Sequence, residues 1–322
     1  MAGLGKRAVR RATAIATVAF AGITKALPLP VARSVGKLLG RIAYHLVPRV
    51  RRDAYANIDT AYGETLTSAE KRRILLHATE NLGIVAAEFS HIPEIPKLLE
   101  SGAITVEGFD LLDRSKGIMF AGAHLGNWEW MAPLLTALGL NVAEVVRPLN
   151  DELLNRLVDR TRQSLGTVTL GKANAGNELL RLLKEGWVSG VLADQSPTSS
   201  AVPVTYFGRP CWATIAPVMV ALRAKIPVHP ICMVRQPNGD YRLIISPPLT
   251  FTRTGNLHAD LVENSQLVQD AIETLVRAYP GQWLWLHRRW KPRPRLEQEW
   301  QARTNKPSHK QSENGDCSTF DE

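Results

Sequence analysis

The stretch that decides the reading is Ile118–Trp130, IMFAGAHLGNWEW. Five apolar or small residues run from Ile118 to Gly122, and then polarity appears abruptly as His124, Asn127 and Glu129 between large aromatics. A short apolar run closed by a glycine-containing turn and a capping residue predicts a buried strand that gives way to a helix. His124 and Glu129 are five positions apart, roughly 140° around an uninterrupted helix at about 100° per residue, so on one helix they would not meet. They converge only if the strand ends near His124, the chain turns at Leu125–Gly126, and a helix begins around Asn127 as its N-cap. The carboxylate of Glu129 is then expected to accept a hydrogen bond from the imidazole. That contact fixes the tautomer and leaves the other ring nitrogen as a base. Such a base can activate a hydroxyl for attack on a thioester. A satisfied histidine near a helix start is the plainer alternative for an isolated H-x4-E.

Working outward, strands are predicted at Ile118–Ala123, Val142–Val146, Val188–Ala193, Val228–Val234 and Tyr241–Ile245. Helices fall between and after them, near Met131–Leu138, Glu152–Leu165, Gly176–Lys184, Ala213–Ala224 and Ala259–Ala278. Alternation of this kind gives an α/β layer fold with a mixed, partly parallel sheet flanked by helices. Upstream, Arg33–Leu46 and Ser68–Ile92 carry apolar residues at helical spacing. Thr67 with Glu70 supplies a capping start.

The 322 residues carry a formal charge of +9. Eleven of the 39 Lys and Arg residues precede the first acidic residue, Asp53, and the rest of the chain holds 28 basic against 30 acidic residues. The basic excess therefore belongs to residues 1–52 and speaks against a nucleic-acid surface. The best uncharged run there, Ala12–Thr24, is shorter than the roughly 20 residues of a spanning helix. Apolar stretches interleaved with Arg and Lys predict a helical segment lying on an anionic membrane. A spanning helix and a cleaved leader are the competing readings. Residues 53–302 form the predicted catalytic domain, and the polar run 303–322 a disordered tail. Cys211, Cys232 and Cys317 are too scattered for a disulfide scaffold or a zinc ribbon. The segment GTVTLGKA (166–173) fits GxxxxGK, but Ala173 stands where a P-loop needs a hydroxyl for magnesium. Asp194 and Gln195 close a predicted strand, where site residues of α/β proteins gather, and are substrate-positioning candidates. The basic, Trp-bearing HRRWKPRPR (287–295) could contact acidic head groups or form a solvated face, and Trp283, Trp285 and Trp290 an interfacial belt or a core end.

AHLGNWEW (123–130) resembles the H-x4-D/E motif of the lysophospholipid acyltransferase superfamily, and in particular the late acyltransferases of lipid A biosynthesis. The likeness continues through VVRPLNDELLNRLVDRTRQSLG (145–166), LKEGWVSGVLADQ (183–195), VTYFGRPCWATIAPVMVALR (204–223) and PGQWLWLHRRWKPRP (280–294). This resemblance implies His124 as general base with Glu129 as its partner. It implies Arg162 at the developing oxyanion or on a phosphate, and Arg147 near the site, with Gly126 and Asn127 shaping the turn or touching substrate. It implies acyl carrier protein as donor, a Kdo-bearing lipid A precursor as acceptor, the cytoplasmic face of the inner membrane as location, and neither metal nor cofactor. The shared motif does not choose between hydroxyls, so a phosphatidylinositol mannoside, a lysophospholipid, or water in a lipid esterase stay open as acceptors.

Overall fold

The computed structural model describes residues 2–146, 149, 151–171 and 175–304. The opening helices are α1 (Ala2–Ala26), α2 (Leu29–Leu46), α3 (Pro48–Tyr62), α4 (Ser68–Glu88) and the short α5 (Ile95–Glu100). There follow β1 (Ile104–Glu107), β2 (Ile118–Gly122), α6 (Met131–Ala137), β3 (Ala143–Val146), α7 (Glu152–Arg162), β4 (Val168–Gly171), α8 (Ala175–Lys184) and β5 (Val188–Leu192). The chain continues with β6 (Ala201–Tyr206), β7 (Arg209–Thr214), α9 (Ala216–Ala224), β8 (Val228–Arg235), β9 (Tyr241–Ile245), α10 (Leu257–Ala278) and α11 (Pro294–Thr304).

The central sheet has five strands in the order β1-β9-β8-β2-β5. Its β1/β9, β2/β8 and β2/β5 pairs are parallel and β8/β9 is antiparallel, so the expected mixed, partly parallel sheet is present. Every residue of β2 is buried, as a central strand covered on both faces requires. Alternate side chains enter two different cores. Met119 and Ala121 pack with α9, α10 and the tryptophans Trp283 and Trp285, whereas Ile118 and Phe120 pack with α5 and α6. The tryptophans thus close a core; Trp283 and Trp285 are each 1% exposed and serve no interfacial belt.

All five predicted strands and the predicted helices occur, with ends shifted by a few residues. The Thr67–Glu70 capping box starts α4 as expected. The predicted helix end at Ile92 gives way after Glu88 to a 3-10 stretch, Phe89–Glu94, where Pro93 interrupts the α-helical pattern. The helix expected from Ala213 begins at Ala216, because Ala213 still belongs to the β6/β7 ribbon. That antiparallel ribbon was not predicted: Pro203 and Pro210 argue against strands, yet in a two-stranded ribbon each strand is an edge and tolerates proline. The change of charge at residues 52–53 falls inside the continuous helix α3, and α11 runs through residues 302–303. Residues 305–322, with Cys317, lie outside the described residues, as do residues 172–174 of the GxxxxGK match; Val168–Gly171 of that match is strand β4.

No described helix is long and apolar enough to cross a membrane. The helical layer is instead anchored by an unusually close crossing of α2 and α4. A Cβ on Gly36 would stand 2.4 Å from the carbonyl oxygen of Gly83, one on Gly40 2.3 Å from that of Thr79, and one on Gly83 2.1 Å from that of Gly36. Three glycines therefore let two backbones touch, and the ion pair of Arg41 with Glu80 flanks the crossing. Overpacking of this kind costs about 1–3 kcal/mol or more. Gly83→Ala should lower the urea midpoint accordingly. Gly22→Ala, on α1 where an added Cβ meets nothing within 4 Å, should raise stability by about 0.5–1 kcal/mol through helix propensity. Denaturation curves of the two variants, read against the parent, check both signs.

Candidate active site

The site is built at the carboxyl end of β2. Gly126 adopts φ +66°, and a Cβ there would lie 1.8 Å from the carbonyl oxygen of Met233 on β8, so only glycine fits the turn. The turn is clamped on several sides. Asn127 N donates to Met233 O, Gly126 N to Gln282 O, Leu284 N to His124 O, and Asn81 Nδ2 to Gly126 O. Asn127 caps the following turn as predicted, its Oδ1 accepting from Trp130 N, while its Nδ2 donates to Glu88. With its side chain fully buried and both ends engaged, Asn127 shapes the turn and offers nothing to a substrate, and Gly126 likewise stands behind the cavity wall.

His124 does not pair with Glu129. Its Nδ1 lies 2.8 Å from Oδ1 of Asp194, and its own backbone N–H donates to Asp194 Oδ2 at 2.9 Å. Asp194 follows β5, the strand beside β2, so the two strand ends bring the pair together across 70 positions of sequence. Trp283 Nε1 donates to the same carboxylate at 2.8 Å. Burial alone would raise the Asp194 carboxyl, but the adjacent charge and hydrogen bond of His124, His287 and the Trp283 donor together hold it at about 2. The ionised carboxylate must accept, so in the neutral ring Nδ1 of His124 carries the proton and Nε2 has the lone pair. Asp194, expected to position substrate, is completely buried and instead orients the histidine.

Glu129 is occupied elsewhere. Its carboxylate receives Arg162 in a bidentate grip, with Nη2 at 2.9 and 2.8 Å from the two oxygens and Nε at 3.1 Å. Burial disfavours the guanidinium charge, but Glu129 outweighs that and raises the Arg162 pKa. A planar fork on a carboxylate is the geometry arginine provides and lysine does not. The pair fixes α7 to the turn after β2. Arg147 lies outside the described residues.

Gln195, expected from the sequence to position substrate, and His287, noted there only within the HRRWKPRPR run, complete the centre. Gln195 Nε2 is 3.1 Å from Nε2 of His124 and 3.1 Å from Nε2 of His287, so one amide bridges two imidazoles. The rings of His124 and His287 meet edge to face with centroids 4.5 Å apart, and Trp128 approaches His124 at 5.3 Å. Burial, then the neighbouring charge of His124, pushes His287 down to about 4, so it is neutral near pH 7. Its carbonyl and that of Trp285 are held by Asn57 Nδ2. Within the basic HRRW run, Arg289 is fully buried and donates to Gln269 and the Trp212 carbonyl, while Arg293 binds Ser196. These two arginines brace the fold and do not form a solvated face.

His124, Trp128, Glu129, Arg162 and Gln195 open onto a cavity of about 590 Å³. Most of the remaining wall is apolar, including Phe120, Met131, Leu135, Val142, Leu179 and Ile231. A single oriented base beside an apolar chamber of this size is suited to act on a lipid-like substrate. Among the described residues no three His, Cys, Asp or Glu side chains converge as metal ligands.

Comparison with known proteins identifies the family. Residues 5–292 match the family model described as bacterial lipid A biosynthesis acyltransferase. The lipid A biosynthesis palmitoleoyltransferase of Escherichia coli (strain K12) is 26% identical over 277 residues, covering 83% of this chain and 87% of that protein. The lauroyltransferase of the same organism is 24% identical over 279 residues, with 83% and 88% covered. A phosphatidylinositol mannoside acyltransferase of Mycobacterium tuberculosis is 25% identical over 233 residues, 67% of this chain and 70% of that one. The crystal structure of a 1-acyl-sn-glycerophosphate acyltransferase from Thermotoga maritima aligns with a TM-score of 0.36 and 16% identity, covering 78% of this chain and 99% of that one. The family match spans nearly the whole described chain and includes every element that builds the site, and the chain belongs to the bacterial lipid A biosynthesis acyltransferase family.

Proposed function

We propose that the enzyme moves a fatty acyl group from an acyl carrier protein thioester to a hydroxyl of a Kdo-bearing lipid A precursor, at the cytoplasmic face of the inner membrane. The observation that carries the chemistry is the His124–Asp194 pair, with Nε2 of His124 directed to an apolar cavity. The acceptor hydroxyl takes the place of the Gln195 amide at Nε2 and gives its proton to the imidazole. The alkoxide attacks the thioester carbonyl, and Asp194 stabilises the imidazolium that forms. The tetrahedral intermediate collapses with loss of the carrier thiolate, which recovers the proton from Nε2. Arg162 leaves Nη1 without a protein partner among the described residues, because Nε and Nη2 serve Glu129. That nitrogen can meet the developing oxyanion or a phosphate of the acceptor.

The membrane assignment rests on the outer face of the helical layer. On α1, Val9, Ile15 and Ile23 are exposed; on α2, Val31, Leu38, Leu39 and Ile42 are, followed by Leu46 at 73%. Basic residues Arg10, Arg11, Lys25 and Lys37 are interleaved with them. Apolar area and cationic charge on one layer suit a helix pair lying in the interface of an anionic bilayer. The likeness to the phosphatidylinositol mannoside acyltransferase favours a second reading, in which the same base serves a sugar hydroxyl of another lipid.

His124→Ala and Asp194→Asn should each reduce turnover by about 10²–10⁴-fold while the protein stays folded. The assay supplies labelled acyl carrier protein thioester with the Kdo-bearing precursor, a phosphatidylinositol mannoside, or no acceptor. Label appearing only on the mannoside would move the enzyme to the second reading, and label released as free acid would make it a hydrolase. Replacing Ile15 and Ile23 together by glutamate should lower co-sedimentation with anionic vesicles and leave thermal unfolding in solution unchanged. Because His287 has a folded pKa of about 4 against a reference of 6.5, the unfolded chain binds its proton first as pH falls. Stability should therefore decline from pH 6.5 toward pH 4, and His287→Gln should flatten that part of the melting-temperature profile.

A further inference from the structure

The cavity has one feature that acyl transfer does not use. Glu144, on β3, lines it among apolar residues such as Val142, Met131 and Leu135. No hydrogen bond or ion pair engages its carboxyl among the described residues, whereas its two charged neighbours, Glu129 and Arg162, are committed to each other. On β5, Ser189 also lines the chamber, 2% exposed and with no side-chain hydrogen bond among the described residues. A chamber meant only for a plain alkyl chain has no use for either group. Ser189 is buried and Glu144 half-buried; a polar group kept from water without a partner is costly, and the cost is recovered when a ligand supplies the partner.

We propose that Glu144 sets the chain specificity of this cavity by binding a hydroxyl carried on a fatty acyl chain, so that hydroxylated chains are selected over plain ones. The inference rests on reading the cavity as an acyl site. Enclosure pushes the Glu144 carboxyl up to about 7, with Arg162 pulling down and Glu129 pushing up. Near neutral pH it can therefore accept from a hydroxyl as carboxylate or donate to one as acid. The hydroxyl can belong to the chain of the thioester donor or to a hydroxyacyl chain of the acceptor. Both present the same chemistry to Glu144.

The test is binding, so that it does not depend on turnover. Dodecanoic acid and its 2-hydroxy and 3-hydroxy counterparts are titrated calorimetrically into the full-length wild type, Glu144→Gln and Glu144→Leu, each first shown to melt cooperatively. Glu144→Val replaces the leucine variant if that one fails to fold. One of the hydroxylated acids should bind the wild type about tenfold more tightly than the plain acid, the weight of one good hydrogen bond. Glu144→Gln should keep most of that preference and Glu144→Leu should erase it. Equal affinities in the wild type, or a preference that survives in Glu144→Leu, would overturn the assignment while leaving the acyl cavity intact. Failure of all three acids to bind would instead remove the acyl reading of the cavity, and this assignment with it. Displacement of the bound acid by donor thioester or by acceptor lipid identifies which chain carries the hydroxyl.

Discussion

The structure turns on one buried carboxylate. Glu88, at the end of α4, is fully enclosed and receives Arg33 of α2, Asn127 of the turn after β2, Arg235 of β8 and Tyr241 of β9. Its carbonyl also accepts Trp130 Nε1. Removing a charge from water costs several kcal/mol unless excellent partners repay it, and losing one member of such a set costs about 3–5 kcal/mol. Four donors from four elements repay it here. Glu88 thereby decides where the helical layer sits on the sheet, and through Asn127 it also decides the pitch of the turn that presents His124. The orientation of the base and the seating of the N-terminal helices are consequences of the same contact.

The rest of the site follows from strand adjacency. Because β5 lies beside β2, the residue after each strand ends at the same rim, and His124 meets Asp194 without any local sequence signal. The Glu129–Arg162 pair then ties α7, which has no fully buried residue, to the rim. Two carboxylates near one histidine hold different posts: one orients the ring, and the other holds an arginine.

What the sequence disclosed and what it hid divide along the same line. The strand Ile118–Gly122, the glycine turn and the Asn127 cap were legible because they depend on neighbours within ten residues. The partner of His124 was not, since a spacing of five drew attention to Glu129 while the true partner lay on another strand. The rule that sites gather at strand ends did mark Asp194 and Gln195 as positions of interest, though not their roles. The four-residue strands β1 and β4 were not predicted, although β3, equally short, was. The α2–α4 crossing was invisible for a different reason: glycines make the contact by what they lack, and hydrophobic periodicity records only side chains that are present. Glu88 drew no notice in the sequence, because its partners Arg33, Asn127, Arg235 and Tyr241 come from distant segments.

The bridging amide of Gln195 has a consequence for chemical economy. A histidine whose lone pair is already occupied by an amide N–H is a poor proton acceptor for a passing water molecule, since water would have to break two imidazole contacts to reach it. On the proposed reading, an acceptor lipid would bring binding energy beyond its hydroxyl with which to displace the amide. The amide therefore works as a threshold. Under the proposed thioester reaction, the Gln195 amide would disfavour water at Nε2 and so favour transfer over hydrolysis.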